Sequence, residues 1–212
     1  MPPDDKYRLC AACFDRIKPA GKFQCRGCGR ILPDTNAYCF DCLKTRPVLL
    51  IRSYAQFNDA IRPLVHKFKY GRQPHLARIL ARFLHIAFQN DDCFAGVDIV
   101  VPVPCHWTRR FSRGYDHVQM LAREFSAASG LPLYSGLLYK NKRTPPQASL
   151  SRERRLKNLA DAFVAPKTVQ VSGKKILLID DVCTTGATMA ACARALLKAG
   201  ADSVAGLAVA RD

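Results

Sequence analysis

Apolar residues fall into short runs and helical stripes that alternate along the chain. Leu49 to Phe57 is an opening run of strand length. Asn58 to Tyr70 places Ile61, Leu64, Val65 and Phe68 on one helical face, and Gly71 stops it. Pro74 to Gln89 predicts a second helix, nearly all apolar on one side. Val97 to Val103 reads as a strand that Pro102 and Pro104 keep from continuing. Asp116, three residues before Gln119, is a capping signature for a helix to about Ser129, with Gly130 as its stop. Leu137 to Tyr139 and Asp161 to Val164 predict short extended segments, with a helix over Ser151 to Leu159 between them. Ile176 to Ile179 is an unbroken apolar run, the pattern of a parallel strand covered on both faces. A helix over Ala187 to Ala199, ended by Gly200, and a last strand over Ser203 to Val209 complete the series. Strands alternating with helices predict an α/β fold with a doubly wound, mainly parallel sheet.

The richest chemistry follows the Ile176 run. Asp180 and Asp181 come next, then Cys183-Thr184-Thr185-Gly186-Ala187-Thr188 turns into the helix. Ligands of open α/β sheets bind past the carboxyl ends of the strands. A helix start offers free amides and a dipole that favours an anion. Gly186 lets the backbone approach closely, and Thr184, Thr185 and Thr188 add neutral donors, so a phosphate monoester is the natural guest. Paired aspartates can accept the O–H groups of a diol or hold Mg²⁺ through oxygen. Phosphate on one side and diol on the other describe a ribose 5-phosphate. No Gly-Lys-Ser/Thr follows, so this is not a Walker loop, and the GxGxxG glycines are missing. An ordinary turn with capping aspartates does not need three threonines and a glycine in this order.

Charge widens the picture. The 212 residues include 33 Lys+Arg against 17 Asp+Glu, a formal net charge of +16, which argues for polyanionic partners. Two basic stretches stand out. Val101 to Tyr115 carries Arg109, Arg110 and Arg113, with Trp107, Phe111 and Tyr115 between and beside them. Forked donors suit pyrophosphate or phosphodiester oxygens, and the aromatics suit stacking of unpaired bases. Lys140 to Gln147, followed by Arg152, Arg154, Arg155 and Lys157, reads as a flap over the pocket. The bland alternative for both is a solvated charged face. Lys69, at a helix end, either reaches the pocket or complements the helix dipole.

No apolar run approaches a membrane span and Met1 to Lys6 shows no leader-like core, so a cytoplasmic protein is expected. Disulfides are rare there, yet six of the ten cysteines form three CxxC pairs between Cys10 and Cys42. Two such turns complete a tetrahedral zinc site, and Cys25, Cys28, Cys39 and Cys42 are the expected ligands of one structural Zn²⁺. Cys10 and Cys13 are left as an orphan pair that either replaces one knuckle or is half of a lost or intermolecular site. A thioredoxin-like reading lacks its βαβ context. Residues 1–47 are too few for a hydrophobic core, so metal would hold them together, with residues 48–212 as the α/β domain. Cys93, Cys105 and Cys192 read as packing residues. Cys183 reads as a loop residue whose thiol pKa an anion-binding helix start would lower.

The run Ile179 to Thr188 resembles the signature of the type I phosphoribosyltransferases, with Ala187 where many members have a second glycine. That resemblance implies phosphoribosyl pyrophosphate (PRPP), taken with Mg²⁺. Asp180 and Asp181 would hold the ribose hydroxyls and Cys183 to Thr188 the 5-phosphate. The whole order resembles the ComF family of competence proteins: CxxC pairs at 25–42, Lys69-Tyr70, Val101 to Pro104, Arg109 to Tyr115, Thr144 to Gln147, Arg155 to Asn158, then the PRPP loop. Asp116-His117 departs from that family's usual Asn-Gln, and Lys140 and Lys142 replace arginines. The resemblance implies a role in natural transformation, with single-stranded DNA and a DNA-uptake helicase at the inner membrane as partners. Alternatives are a working transferase, with Arg109, Arg110 or Arg113 steadying the departing pyrophosphate, and a zinc-module adaptor on a vestigial enzyme fold. The sequence names no acceptor and leaves catalysis open.

Overall fold

Four parallel strands form the centre of the molecule, seen in a computed structural model that describes residues 10–21, 23–33, 37–45, 48–104, 115–140, 162–166 and 171–212. Their order is β1 (Leu50–Gln56), β6 (Ser203–Arg211), β5 (Lys175–Cys183), β2 (Ile99–Pro102). Every pairing in this sheet is parallel, with Ile179 of β5 opposite Leu207 on one side and Pro102 on the other. The remaining elements are α1 (Ala11–Arg16), α2 (Phe40–Thr45), α3 (Arg62–Tyr70), α4 (Leu76–Gln89), α5 (His117–Ser129) and α6 (Ala187–Lys198). An antiparallel pair, β3 (Tyr139–Lys140) and β4 (Phe163–Val164), lies apart from the main sheet.

Strand geometry decides what each face covers, because successive side chains point to opposite sides. Leu177 and Ile179 pack with Leu80 and Phe83 of α4 and with Leu121 and Phe125 of α5. Ile176 and Leu178 face the other way, onto Met189, Ala193 and Leu196 of α6. With both faces covered, a strand must be apolar throughout, as the uninterrupted 176–179 run requires. Gly206 permits the close approach of α6, since a β-carbon there would meet Met189 Sδ at 2.7 Å. The doubly wound parallel architecture is therefore the observed one.

Local signals acted as expected at α5. Asp116 Oδ1 accepts the Gln119 N–H at 3.0 Å, and Gly130 closes the helix at φ 76°. Other boundaries moved. Asn58 does not begin α3; its Oδ1 accepts the amides of Ala60 and Ile61 in a side-chain turn that delays the helix to Arg62. β5 runs on through both aspartates to Cys183, because β6 continues to pair with it as far as Arg211. The helix expected over Ser151 to Leu159 lies outside the described residues.

The segment before residue 48 is fastened to the sheet. β1 is an edge strand, and its open side is taken by this segment: Pro19 bridges Ala55, Gln24 exchanges side-chain hydrogen bonds with the Ser53 backbone at 3.2 Å each way, and the Ile51 amide donates to the Arg26 carbonyl. Such covering removes an unpaired edge that would otherwise recruit another strand. α1 is pinned as well, with buried Ile17 in the core and Phe14 5.6 Å from Phe83. Among the described residues no helix is long and apolar enough to cross a membrane.

Candidate functional site

Because β5 stays extended through residues 180 and 181, the adjacent carboxylates leave the strand on opposite faces. Asp180 follows Ile176 and Leu178 to the α6 side. There it helps line a hollow of about 40 Å³ formed with Cys183 to Met189. Asp181 follows Leu177 and Ile179 to the α3/α5 side, where it is only 3 % exposed. Lys69 Nζ of α3 stands 2.9 Å from Asp181 Oδ1. His117 Nε2 of α5 stands 2.8 Å from Asp181 Oδ2. The two helices are tied again by Tyr115, whose hydroxyl donates to the Phe68 carbonyl, and by an edge-on contact of the Phe68 and His117 rings.

The electrostatics separate the pair. Burial works to raise the Asp181 pKa, but Lys69 and His117 outweigh it and hold the group well below the ordinary carboxylate range. Asp180 is pushed well above that range by burial and by the Asp181 charge beside it, despite partial access to solvent. Burial alone would lower Lys69; the carboxylates outweigh it, chiefly Asp181, and raise the pKa.

The loop after β5 has the expected form. Gly186 is left-handed at φ 77°, and Thr185 Oγ1 accepts the Ala187 amide at 3.3 Å. Thr184, Thr185, Gly186, Ala187 and Thr188 all line the hollow with Asp180. Cys183 corrects its expectation. It is the last strand residue and is buried, so its thiol is pushed up to about 11, with Arg211 only partly opposing. Arg211 Nη1 donates to Cys183 Sγ at 3.0 Å.

Cys25, Cys28, Cys39 and Cys42 form a buried cluster whose sulfurs all lie within 4.8 Å of one another. The Cys28 and Cys39 sulfurs are 3.8 Å apart. That matches the edge of a tetrahedron with metal–sulfur bonds of about 2.3 Å. Burial would raise the Cys25 thiol, but surrounding backbone amides outweigh it and bring it to about 7, whereas burial raises Cys28 and Cys42. The set can hold an ion such as zinc. It also reaches toward the loop: the Arg211 charge that acts on Cys183 acts on Cys28 too.

Cys105, Arg109, Arg110 and Arg113, with most of the second basic stretch, lie outside the described residues. Lys69 pairs with Asp181 and does not line the hollow. His117 and Arg211 were not anticipated. The departure at Asp116-His117 was the signal for the first; nothing in the sequence marked the second.

A parallel sheet bearing this Asp-Asp strand end and hydroxyl loop defines a phosphoribosyltransferase-type domain, and the family model for the phosphoribosyl transferase domain matches residues 70–212. The chain is 31 % identical to the DNA utilization protein YhgH of Escherichia coli, over 93 % of this chain and 88 % of that protein. It is 28 % identical to competence protein F of Haemophilus influenzae, over 94 % and 88 %, and 28 % to competence protein ComFC of Bacillus subtilis, over 94 % and 81 %. Among solved structures, the glutamine PRPP amidotransferase of B. subtilis superposes with a TM-score of 0.45 at 21 % identity, covering 67 % of this chain and 30 % of that longer one. The chain belongs to the ComF family of competence and DNA utilization proteins, built on a phosphoribosyl transferase domain.

Opposite environments predict opposite mutant phenotypes. Asp181→Asn leaves Lys69 without its counter-charge and is expected to cost about 3–5 kcal/mol in urea unfolding. Asp180→Asn removes a like-charge repulsion and is expected to raise the ligand-free melting temperature. Equal losses from both would show that the carboxylates share one environment. The Asp181 contribution has a definite pH sign: present above the ordinary aspartate range, it fades as acid titrates the folded group.

Metal analysis is expected to return one zinc equivalent per chain, lost in Cys25→Ser/Cys28→Ser and kept in Cys10→Ser/Cys13→Ser. Retention in the first variant would break the ligand assignment.

Proposed function

We propose that this protein serves DNA uptake and utilization by binding PRPP with Mg²⁺ in the β5–α6 corner and single-stranded DNA on its basic stretches. The observation that carries the first half is the hollow that Asp180 and the Thr184–Thr188 loop line together. In this reading the loop hydroxyls and amides take the 5-phosphate. Asp180 accepts a ribose hydroxyl or binds Mg²⁺ through its carboxylate oxygens. Asp181 reaches the ribose only by releasing Lys69 or His117; otherwise it holds both helices at the rim. Arg109, Arg110 and Arg113, which follow β2 in the sequence, take the pyrophosphate.

The DNA half draws on the +16 charge, on the arginines interleaved with Trp107 and Phe111, and on the names of the relatives. A cytoplasmic location beside an uptake helicase at the inner membrane fits that role. Residues 1–47 act as a metal-held unit that covers the sheet edge of the domain formed by residues 48–212.

Mg-PRPP at one hundred times its dissociation constant is expected to add about 2.7 kcal/mol of stability, read as a thermal shift. The shift should vanish in Asp180→Asn; a parent protein that does not shift would end the PRPP reading. Single-stranded DNA binding is expected to weaken steeply with salt, with a log–log slope of about −0.7 for each phosphate neutralised. The triple variant Arg109→Ala/Arg110→Ala/Arg113→Ala neutralises fewer phosphates and should show the shallower slope. An unchanged slope would misplace the DNA surface.

A further inference from the structure

The four-cysteine cluster is complete without Cys10 and Cys13, which stand apart from it as exposed free thiols. They are not independent of each other. Cys10 lies in extended backbone at the start of α1, and its Sγ accepts the Cys13 amide at 3.4 Å. That amide favours the thiolate on Cys10 and so sets the two thiols apart. The Cys13 amide and thiol draw Cys10 below the ordinary thiol value. The Cys10 sulfur beside it raises Cys13 above that value. The pair rests on a fixed base, since Ile17 is buried and Phe14 packs between Phe83 and the Arg82 guanidinium.

Beside Cys13 opens a hollow of about 210 Å³, larger than the one at the β5 end. Arg16, Lys67 and Asp59 give it charge, and Ile17, Pro63 and Leu64 give it an apolar wall. Arg16 and Lys67 both act on the Cys13 thiol. Two cations against one acid favour a small anion and oppose a second metal dication, for which the pair would in any case supply only half the ligands.

We propose that Cys10 and Cys13 form a redox-active dithiol that exchanges with a small anionic disulfide, of the glutathione disulfide type, docked beside Arg16 and Lys67. The Cys10 thiolate attacks one sulfur of the bound disulfide. That S–S bond breaks, and the first small thiol leaves as a thiolate that takes a proton from solvent. Cys13 then gives its proton to solvent and attacks the Cys10 sulfur, expelling the second small thiol. Two cysteine thiols are oxidised to one disulfide, and one small disulfide is reduced to two thiols. The hollow abuts α3, the helix that carries Lys69 to Asp181. The proposal stands independently of PRPP binding.

The test uses the full-length, zinc-replete protein in glutathione buffers of stepped oxidised-to-reduced ratio, trapped by alkylation and read by peptide mass. A Cys10–Cys13 disulfide is expected to form reversibly while zinc stays at one equivalent per chain. Cys13→Ser should trap a glutathione adduct on Cys10, and Cys10→Ser should accumulate far less on Cys13. Arg16→Ala/Lys67→Ala should slow exchange with glutathione disulfide about tenfold, but leave exchange with the neutral disulfide of 2-mercaptoethanol unchanged. Circular dichroism and zinc content check that each variant is folded. Adducts divided equally between the two cysteines, or equal slowing with both disulfides, would overturn the proposal. So would extra zinc that Cys10→Ser/Cys13→Ser removes, which would assign the pair to a metal shared between two copies.

Discussion

A carboxylate that is 3 % exposed stays ionised inside a protein only beside compensating partners, and Asp181 has the Lys69 ammonium on one oxygen and the His117 ring on the other. The charge sits on the central strand β5, and its partners come from α3 and α5. Meeting the charge therefore fixes where both helices end relative to the sheet. Tyr115 and the Phe68–His117 ring contact repeat that tie with neutral groups. The rim of the candidate pocket is set by the need to neutralise one buried group.

The same strand explains why two neighbouring aspartates differ. Pleating sends Asp180 to the hydroxyl loop and Asp181 to the cationic helices, so identical side chains acquire opposite pKa shifts. One is an acceptor facing open space; the other is a brace. The bracing charge is thereby satisfied within the protein itself.

The cysteine-rich segment belongs to the same system. Its backbone occupies the free edge of β1, and Ile51 of that strand reaches to within 2.8 Å of where a β-carbon on Gly186 would lie. Arg211, at the end of β6, touches Cys183 at the loop and acts on Cys28 in the metal cluster. The four clustered thiols, the edge strand and the hydroxyl loop are thus neighbours through a few buried residues.

Periodicity alone determined the alternation of strands and helices, and apolar continuity over 176–179 determined a strand covered on both faces, because burial on each side leaves no position for a polar residue. Local chemistry likewise marked the Asp116 cap, the hydroxyl loop and the four metal-spaced cysteines, since each depends on neighbours within a few residues. Tertiary structure decided the rest. Only pairing with β6 extends β5 through Asp181 and so parts the two carboxylates. Only the meeting of α3, α5 and β5 brings Lys69 and His117, distant in sequence, to one buried charge. Charge compensation acts through space, and spacing along the chain carries no record of it.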